Sequence, residues 1–177
     1  MPYKPRPFDG TDLGRYVIAE LDAIADEMAS AQGAATLFTS VQSAQLTFTT
    51  TPQRLEQWTN LTPQRDPRSV VPSLPDGTLY VRRAGVVGVS FTVTALVPAG
   101  QEYVLEMYVN GVPTALAASI DASNQTTFAT FAAFGTFRVV AGVNVVADAI
   151  ALYGRMMSGS AAFTMVRGFF SAFWIGD

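Results

Sequence analysis

Residues 102–120 read EYVLEMYVNGVPTALAASI, two apolar stretches folded about Asn110-Gly111. An Asn-Gly pair in that setting predicts a two-residue hairpin, because a type I′ turn needs positive φ at both central positions and these residue types tolerate it. In the simplest register Val109 faces Val112, Met107 faces Thr114, Leu105 faces Leu116 and Tyr103 faces Ala118, which makes one thoroughly apolar face. The other face carries Val104, Glu106 and Tyr108 beside Pro113, Ala115 and Ala117. A hairpin with one face in water alternates oily and polar residues. This one offers mainly Glu106 to solvent, so its second face also calls for cover.

The same excess recurs downstream. In VVGVSFTVTALV (86–97), Val87, Val89, Phe91, Val93 and Ala95 alternate with Gly88, Ser90, Thr92 and Thr94, the pattern of a half-buried strand. Phe128, Phe131, Phe134 and Phe137 come three apart, so a continuous strand sends them alternately to both of its faces. VNVVADAIALY (143–153) and AAFTMVRGFFSAFWIG (161–176) are apolar on both sides as well. Helices over a parallel sheet would leave similar strands, but one helix alone is legible in the chain. The expectation is a two-sheet sandwich whose remaining apolar surface is covered by identical neighbours.

Composition points the same way. Of 177 residues, 49% are hydrophobic and 14% charged, against about 25% charged in an ordinary soluble domain. The length suits one sizeable domain and an appendage. A net charge of -3 and the single lysine, Lys4, argue against nucleic-acid binding, which needs a concentrated basic patch. Arg82-Arg83 reads as a solvated strand end. No apolar run is long enough to span a membrane, and MPYKPRPFDG lacks the apolar stretch of a secretion signal. The expectation is a chain made in the cytoplasm that makes no membrane contact.

There is no cysteine and no histidine. Disulfides, thiolate nucleophiles, the commonest general base and the usual metal ligands are thereby removed, and neither a cofactor nor a metal is expected. Asp22, Asp26 and Glu27 in DAIADE read as the wet face of a helix. Gly85 and Gly88 sit inside a strand pattern, where they mark close strand packing and not a phosphate loop. A carboxylate-only hydrolase remains conceivable if two acids from different segments, such as Glu106 and Asp148, stand about 5–10 Å apart in a pocket.

Four regions follow. Residues 1–10 combine Pro2, Pro5 and Pro7 with Tyr3, Lys4, Arg6 and Phe8, an extended arm suited to docking on a partner. Residues 11–33 read as a helix in which Val17, Leu21, Ile24 and Met28 recur at alternating steps of four and three, the seam of a short self-associating bundle. Residues 34–77 hold a connecting strand (44–51, a candidate to join the sandwich) and a segment with five prolines between 52 and 77, in which Trp58 and Leu61 are expected to pin the chain to a nearby surface. Residues 78–177 are strand throughout. Charge divides unevenly too: residues 84–177 contain only Glu102, Glu106, Asp121, Arg138, Asp148, Arg155, Arg167 and Asp177.

The strands GTLYVRRAGVVGVSFTVTA, YVLEMYVNGVPT and FFSAFWIG resemble the jelly-roll domains of the tumour-necrosis-factor and complement globular-head type, which form tight trimers through aromatic-rich sheet faces. An arm of prolines and aromatics, a short helix and one such jelly roll are similar to small virion proteins of tailed bacteriophages. The resemblance implies a mainly β fold, a jelly-roll β-sandwich of about eight antiparallel strands preceded by the arm and one short α-helix, and a homotrimer. It also implies a non-enzymatic head-fibre, decoration or tail-attached protein carried on the virion, with other phage capsid, portal or tail proteins as partners. A module binding a host receptor or surface glycan is the second expectation, and it requires Trp58 or Trp174 to be exposed in a shallow cleft.

Overall fold

The computed structural model of the chain describes residues 34–39, 45–61, 70–122, 126–139 and 148–176. These residues contain twelve strands: β1 (Ala35–Thr39), β2 (Leu46–Thr49), β3 (Gln53–Arg54), β4 (Asn60–Leu61), β5 (Val70–Ser73), β6 (Thr78–Val81), β7 (Gly85–Val97), β8 (Glu102–Val109), β9 (Val112–Asp121), β10 (Thr127–Val139), β11 (Asp148–Met156) and β12 (Ser160–Gly176). The number exceeds the eight or so expected. The surplus comes from β1 and from β3–β5, short pieces that extend the two sheets, three of them inside the proline-rich segment 52–77; β2 lies in the strand expected at 44–51. Pro72 lies in β5, an edge strand, where its missing N–H is tolerated.

All pairs are antiparallel, and they form two sheets. The first runs β10-β7-β12-β1-β4, with β2 added alongside β12; the second runs β5-β6-β11-β8-β9, with β3 beside β11. The chain crosses between sheets repeatedly, so that β12 lies between β7 and β1 while β11 lies between β6 and β8. That winding makes a jelly-roll sandwich. No helix occurs among the described residues.

Alternation decides what lies between the sheets. Val87, Val89, Phe91, Val93 and Ala95 are buried, as their spacing along β7 predicts, and so are Tyr103, Leu105 and Met107 on β8. Phe163 is the hub, with ring centroids 4.6 Å from Phe48, 6.0 Å from Phe131 and 6.2 Å from Tyr103. Gly154 is needed beside this cluster, because a Cβ there would stand inside the Phe48 ring. Trp58 is a pin, as expected: it is buried, donates from Nε1 to Leu55 O at 3.0 Å and stacks on Phe170. Leu61 is not, being 37% exposed.

The hairpin forms with Asn110 at φ 52° and Gly111 at φ 77°, the positive values that its turn demands. Val109 pairs with Val112 as expected, but beyond Tyr108–Pro113 the ladder is interrupted. Met107 faces three residues of β9, after which Glu106 meets Ala117, Leu105 meets Ala118 and Tyr103 meets Ile120. Thr114 Oγ1 donates to Met107 O at 2.9 Å, filling the gap in the ladder. A shift of two residues preserves facing, so the apolar set of β8 still points inward.

Candidate assembly face

The outward side of the first sheet follows from the odd-even alternation of its strands. Rows of paired residues cross β10, β7 and β12: Ala132, Thr92 and Phe169, continued by Phe38 of β1; then Phe134, Ser90 and Ser171, continued by Thr36; then Thr136, Gly88 and Phe173. Phe128 is 67% exposed, Phe134 61%, Ile175 48% and Phe169 42%. Phe134 stacks on Phe173, and Phe38 on Phe169, each pair with centroids 6.3 Å apart. Hydroxyls here pair with one another: Thr94 with Thr130 at 3.0 Å, and Thr36 with Ser171 at 2.8 Å.

The strands of this sheet contain no aspartate or glutamate. Two arginines bracket its aromatic middle. Arg167 pairs with Thr94 and lies 5.7 Å from the Phe169 ring centre, and Arg138 pairs with Val86 at the opposite end. Withdrawing one phenylalanine ring from water is worth about 1.5–3 kcal/mol, so a partner covering this face gains several such increments. Phe128 and Phe134 point outward while Phe131 is buried and Phe137 packs against the core, as spacing by three implies.

This face adjoins the side where both sheets end. β10 closes the first sheet and β9 the second, and Leu116 of β9 packs toward Gly135 and Phe137 of β10. The two edge strands together carry only Asp121 and Arg138 as charges. Long uncharged edges invite pairing or packing with another chain.

The outward side of the second sheet is different in kind. Tyr108 and Tyr153 rings lie 4.1 Å apart, and Glu106 Oε1 accepts from Arg155 Nη2 at 2.7 Å and Nε at 3.2 Å. Burial, with the Glu106 carboxylate beside it, pushes the Tyr108 hydroxyl pKa up, and the hydrogen bond to Glu106 raises that of Arg155. Nearby, the Tyr80 hydroxyl donates to Asp76 Oδ2 at 3.3 Å, and burial with that carboxylate raises its pKa. The second face of the hairpin is thus finished largely by its own chain. Tyr153 and Arg155 of β11 join Tyr108 and Glu106, which leaves Tyr108 and Val104 buried. Only the pairing of Tyr153 with Glu106 brings these side chains together, and nothing in the separate segments signals that register.

The residues singled out for chemistry disperse. Glu106 faces outward from the second sheet, whereas Asp148 is buried on its inner side, where Asn110 Nδ2 donates to it at 2.6 Å. Asp148 lies five steps along β11 from Tyr153, which pairs with Glu106, a span of about 16 Å. They do not form a hydrolytic pair. Among the described residues no three His, Cys, Asp or Glu side chains gather as a metal site. No helix among them is long and apolar enough to cross a membrane. Trp58 is buried and Trp174 donates to Ala84 O under the Arg83 guanidinium, so neither offers an open stacking surface. The arm residues Tyr3, Lys4, Arg6 and Phe8 and the seam residues Val17, Leu21, Ile24 and Met28 lie outside the described residues.

The two-sheet jelly roll is a fold that this chain shares with solved globular domains of otherwise different sequence. The globular domain of a zebrafish complement 1qA protein superposes with a TM-score of 0.54 at 10% identity, covering 81% of this chain and 97% of its own. The Eiger tumour necrosis factor of S. frugiperda does so with a TM-score of 0.54 at 14% identity, covering 82% of this chain and 94% of its own. The vertex protein P5 of PRD1 aligns more loosely, at a TM-score of 0.47 and 14% identity over 82% of this chain and 74% of its own. The sequence matches no family model and no curated protein.

Proposed function

We propose that the chain is a non-enzymatic structural protein of a tailed-phage particle, a homotrimeric short fibre or decoration protein anchored through its N-terminal segment. The observation that carries this reading is the outward face of the first sheet: Phe128, Phe134 and Phe169 stand exposed on strands that hold no acidic residue. A monomer with such a face would be prone to aggregate. The β9/β10 edge and the phenylalanine face are different surfaces, so a contact between them is head-to-tail, and a closed ring of copies would cover both in every subunit. Three copies rather than another number follows from the resemblance to the trimeric jelly rolls. The phage setting follows from the order of proline-aromatic arm, helix and jelly roll.

Sedimentation of the purified chain at micromolar concentration tests the assembly; a trimer is expected, and Phe134→Asp should yield a folded monomer. A soluble monomeric wild type would end the proposal. Deleting residues 1–10 should leave the trimer intact and abolish attachment to the particle, with Tyr3→Ala and Phe8→Ala together giving most of that loss. Attachment at wild-type occupancy would move the anchor off the arm.

A second reading, recognition of a host-surface glycan, is favoured by the half-buried Tyr153 ring, backed by Tyr108, beside the Glu106–Arg155 ion pair. Tyrosine rings with adjacent planar hydrogen-bonding groups suit reversible recognition better than permanent association. Glycan binding that disappears in Tyr153→Ala, with the trimer retained, would favour it.

A further inference from the structure

Three of the six arginines among the described residues, Arg82, Arg83 and Arg138, are exposed at one end of the sandwich. Register places them there together. Val81, just before Arg82, pairs with Asp148 at the start of β11; Gly85 pairs with Val139; and the Arg83 guanidinium lies 3.8 Å from the centre of the Trp174 ring. The other three lie elsewhere: Arg54 is paired with Glu56, Arg155 with Glu106, and Arg167 stands toward the opposite end of the first sheet. Of the carboxylates among the described residues, Asp148 alone is at the arginine end, and it is buried against Asn110. Residues 140–147, which connect strands at this end, contain no charged residue.

The chain enters the sandwich at this same end, since Ala35 of β1 pairs with Ala172, close to the end of β12. Immediately before it, residues 20–33 carry Glu20, Asp22, Asp26 and Glu27 and no lysine or arginine. Seven residues from Glu27 to Ala34 span from about 10 Å if helical to about 24 Å if extended. That reach matches the breadth of a sandwich end, where the two sheets lie about 10 Å apart.

We infer that the arginine end is the seat of the acidic stretch 20–27 of this chain, its own copy or that of a neighbour in the same oligomer. Arg82 and Arg138 make the ion pairs, while Arg83 stays on Trp174. The contact aims the N-terminal segment away from the head and joins the two otherwise separate charge populations of the chain. It does not depend on the number of subunits.

The test uses the scarcity of amines, since Lys4 is the sole lysine. Full-length chain carrying Lys4→Arg with Arg82→Lys, or with Arg138→Lys, is treated with a zero-length carbodiimide and mapped by mass spectrometry. Links from the new lysine to Glu20, Asp22, Asp26 or Glu27 are expected. Their yield should fall about tenfold in 0.5 M NaCl, where screening is strong, and likewise in Asp22→Asn/Asp26→Asn. Links only to Asp177 or to carboxylates of the sandwich, or no links at all, overturn the inference. Sedimentation of the same variants reports assembly separately, so loss of the trimer and loss of this contact are told apart.

Discussion

Phe173 reaches Phe134 by lying across Gly88. The two rings stack 6.3 Å apart and 15° from parallel, and a Cβ on Gly88 would collide with the Phe173 ring. A residue that reads as a plain strand glycine therefore shapes the outward aromatic face.

Gly88→Val should push Phe173 off that position while leaving the fold intact, because the obstructed atoms are the far end of a side chain facing outward. Loss of one aromatic pair is worth about 1 kcal/mol, so subunit affinity should weaken several-fold with no change in the far-ultraviolet spectrum. Sedimentation equilibrium checks this; unchanged affinity would place the interface elsewhere.

Gly154→Val strikes the interior instead. The new side chain meets Phe48 among Phe163, Phe131 and Tyr103, where no ring can swing into solvent. Overpacking of this kind costs about 1–3 kcal/mol, read as a lower urea midpoint with an unchanged slope. A midpoint equal to wild type would mean that the Phe48 site is looser than its packing indicates.

Tyr103 makes stability sensitive to alkali. Burial pushes its hydroxyl up to about 12 from the ordinary 10, and it donates to Ala162 O at 3.0 Å. The folded state holds the proton more tightly than the unfolded chain does, so the contribution is complete below pH 10 and is lost as pH rises through 12. Tyr103→Phe should cost about 1 kcal/mol at neutral pH and should flatten the decline between pH 10 and 12. Denaturation midpoints of both proteins across that range measure it.

Leu21→Asp tests the proposed helical seam of Val17, Leu21, Ile24 and Met28. An unpaired charge in an apolar contact costs a few kcal/mol, so the proposed trimer should dissociate at higher concentration while the sandwich keeps its own melting transition. If oligomer stability and particle attachment both remain at wild-type level, residues 11–33 do neither job.

Much of the sandwich was legible because alternation acts locally. Phe128 and Phe134 were bound to face one way and Phe131 and Phe137 the other, and Asn110-Gly111 could hardly avoid its turn. The exposed phenylalanine face was legible as an excess, since more apolar strand surface was present than two sheets can bury. Of the five short strands before β6, β2 was legible within 44–51, whereas β1, β3, β4 and β5 were hidden, because two- to five-residue pieces carry too little periodicity to register. The interruption opposite Met107 was hidden as well: it depends on Thr114 finding the Met107 carbonyl after the strands have paired.

By itself the chain determined strand identity, the inward set of each strand, the hairpin turn and the exclusion of cysteine and histidine chemistry, all properties of single residues and their immediate spacing. The tertiary structure decided which distant strands meet. It set Glu106 beside Arg155 and Tyr153, turned Asp148 inward to Asn110, laid Phe173 over Gly88 and gathered Arg82, Arg83 and Arg138 where the chain enters. Those outcomes arise from registers between segments tens of residues apart. Such registers are selected by the joint packing of the whole interior, and no local pattern encodes them.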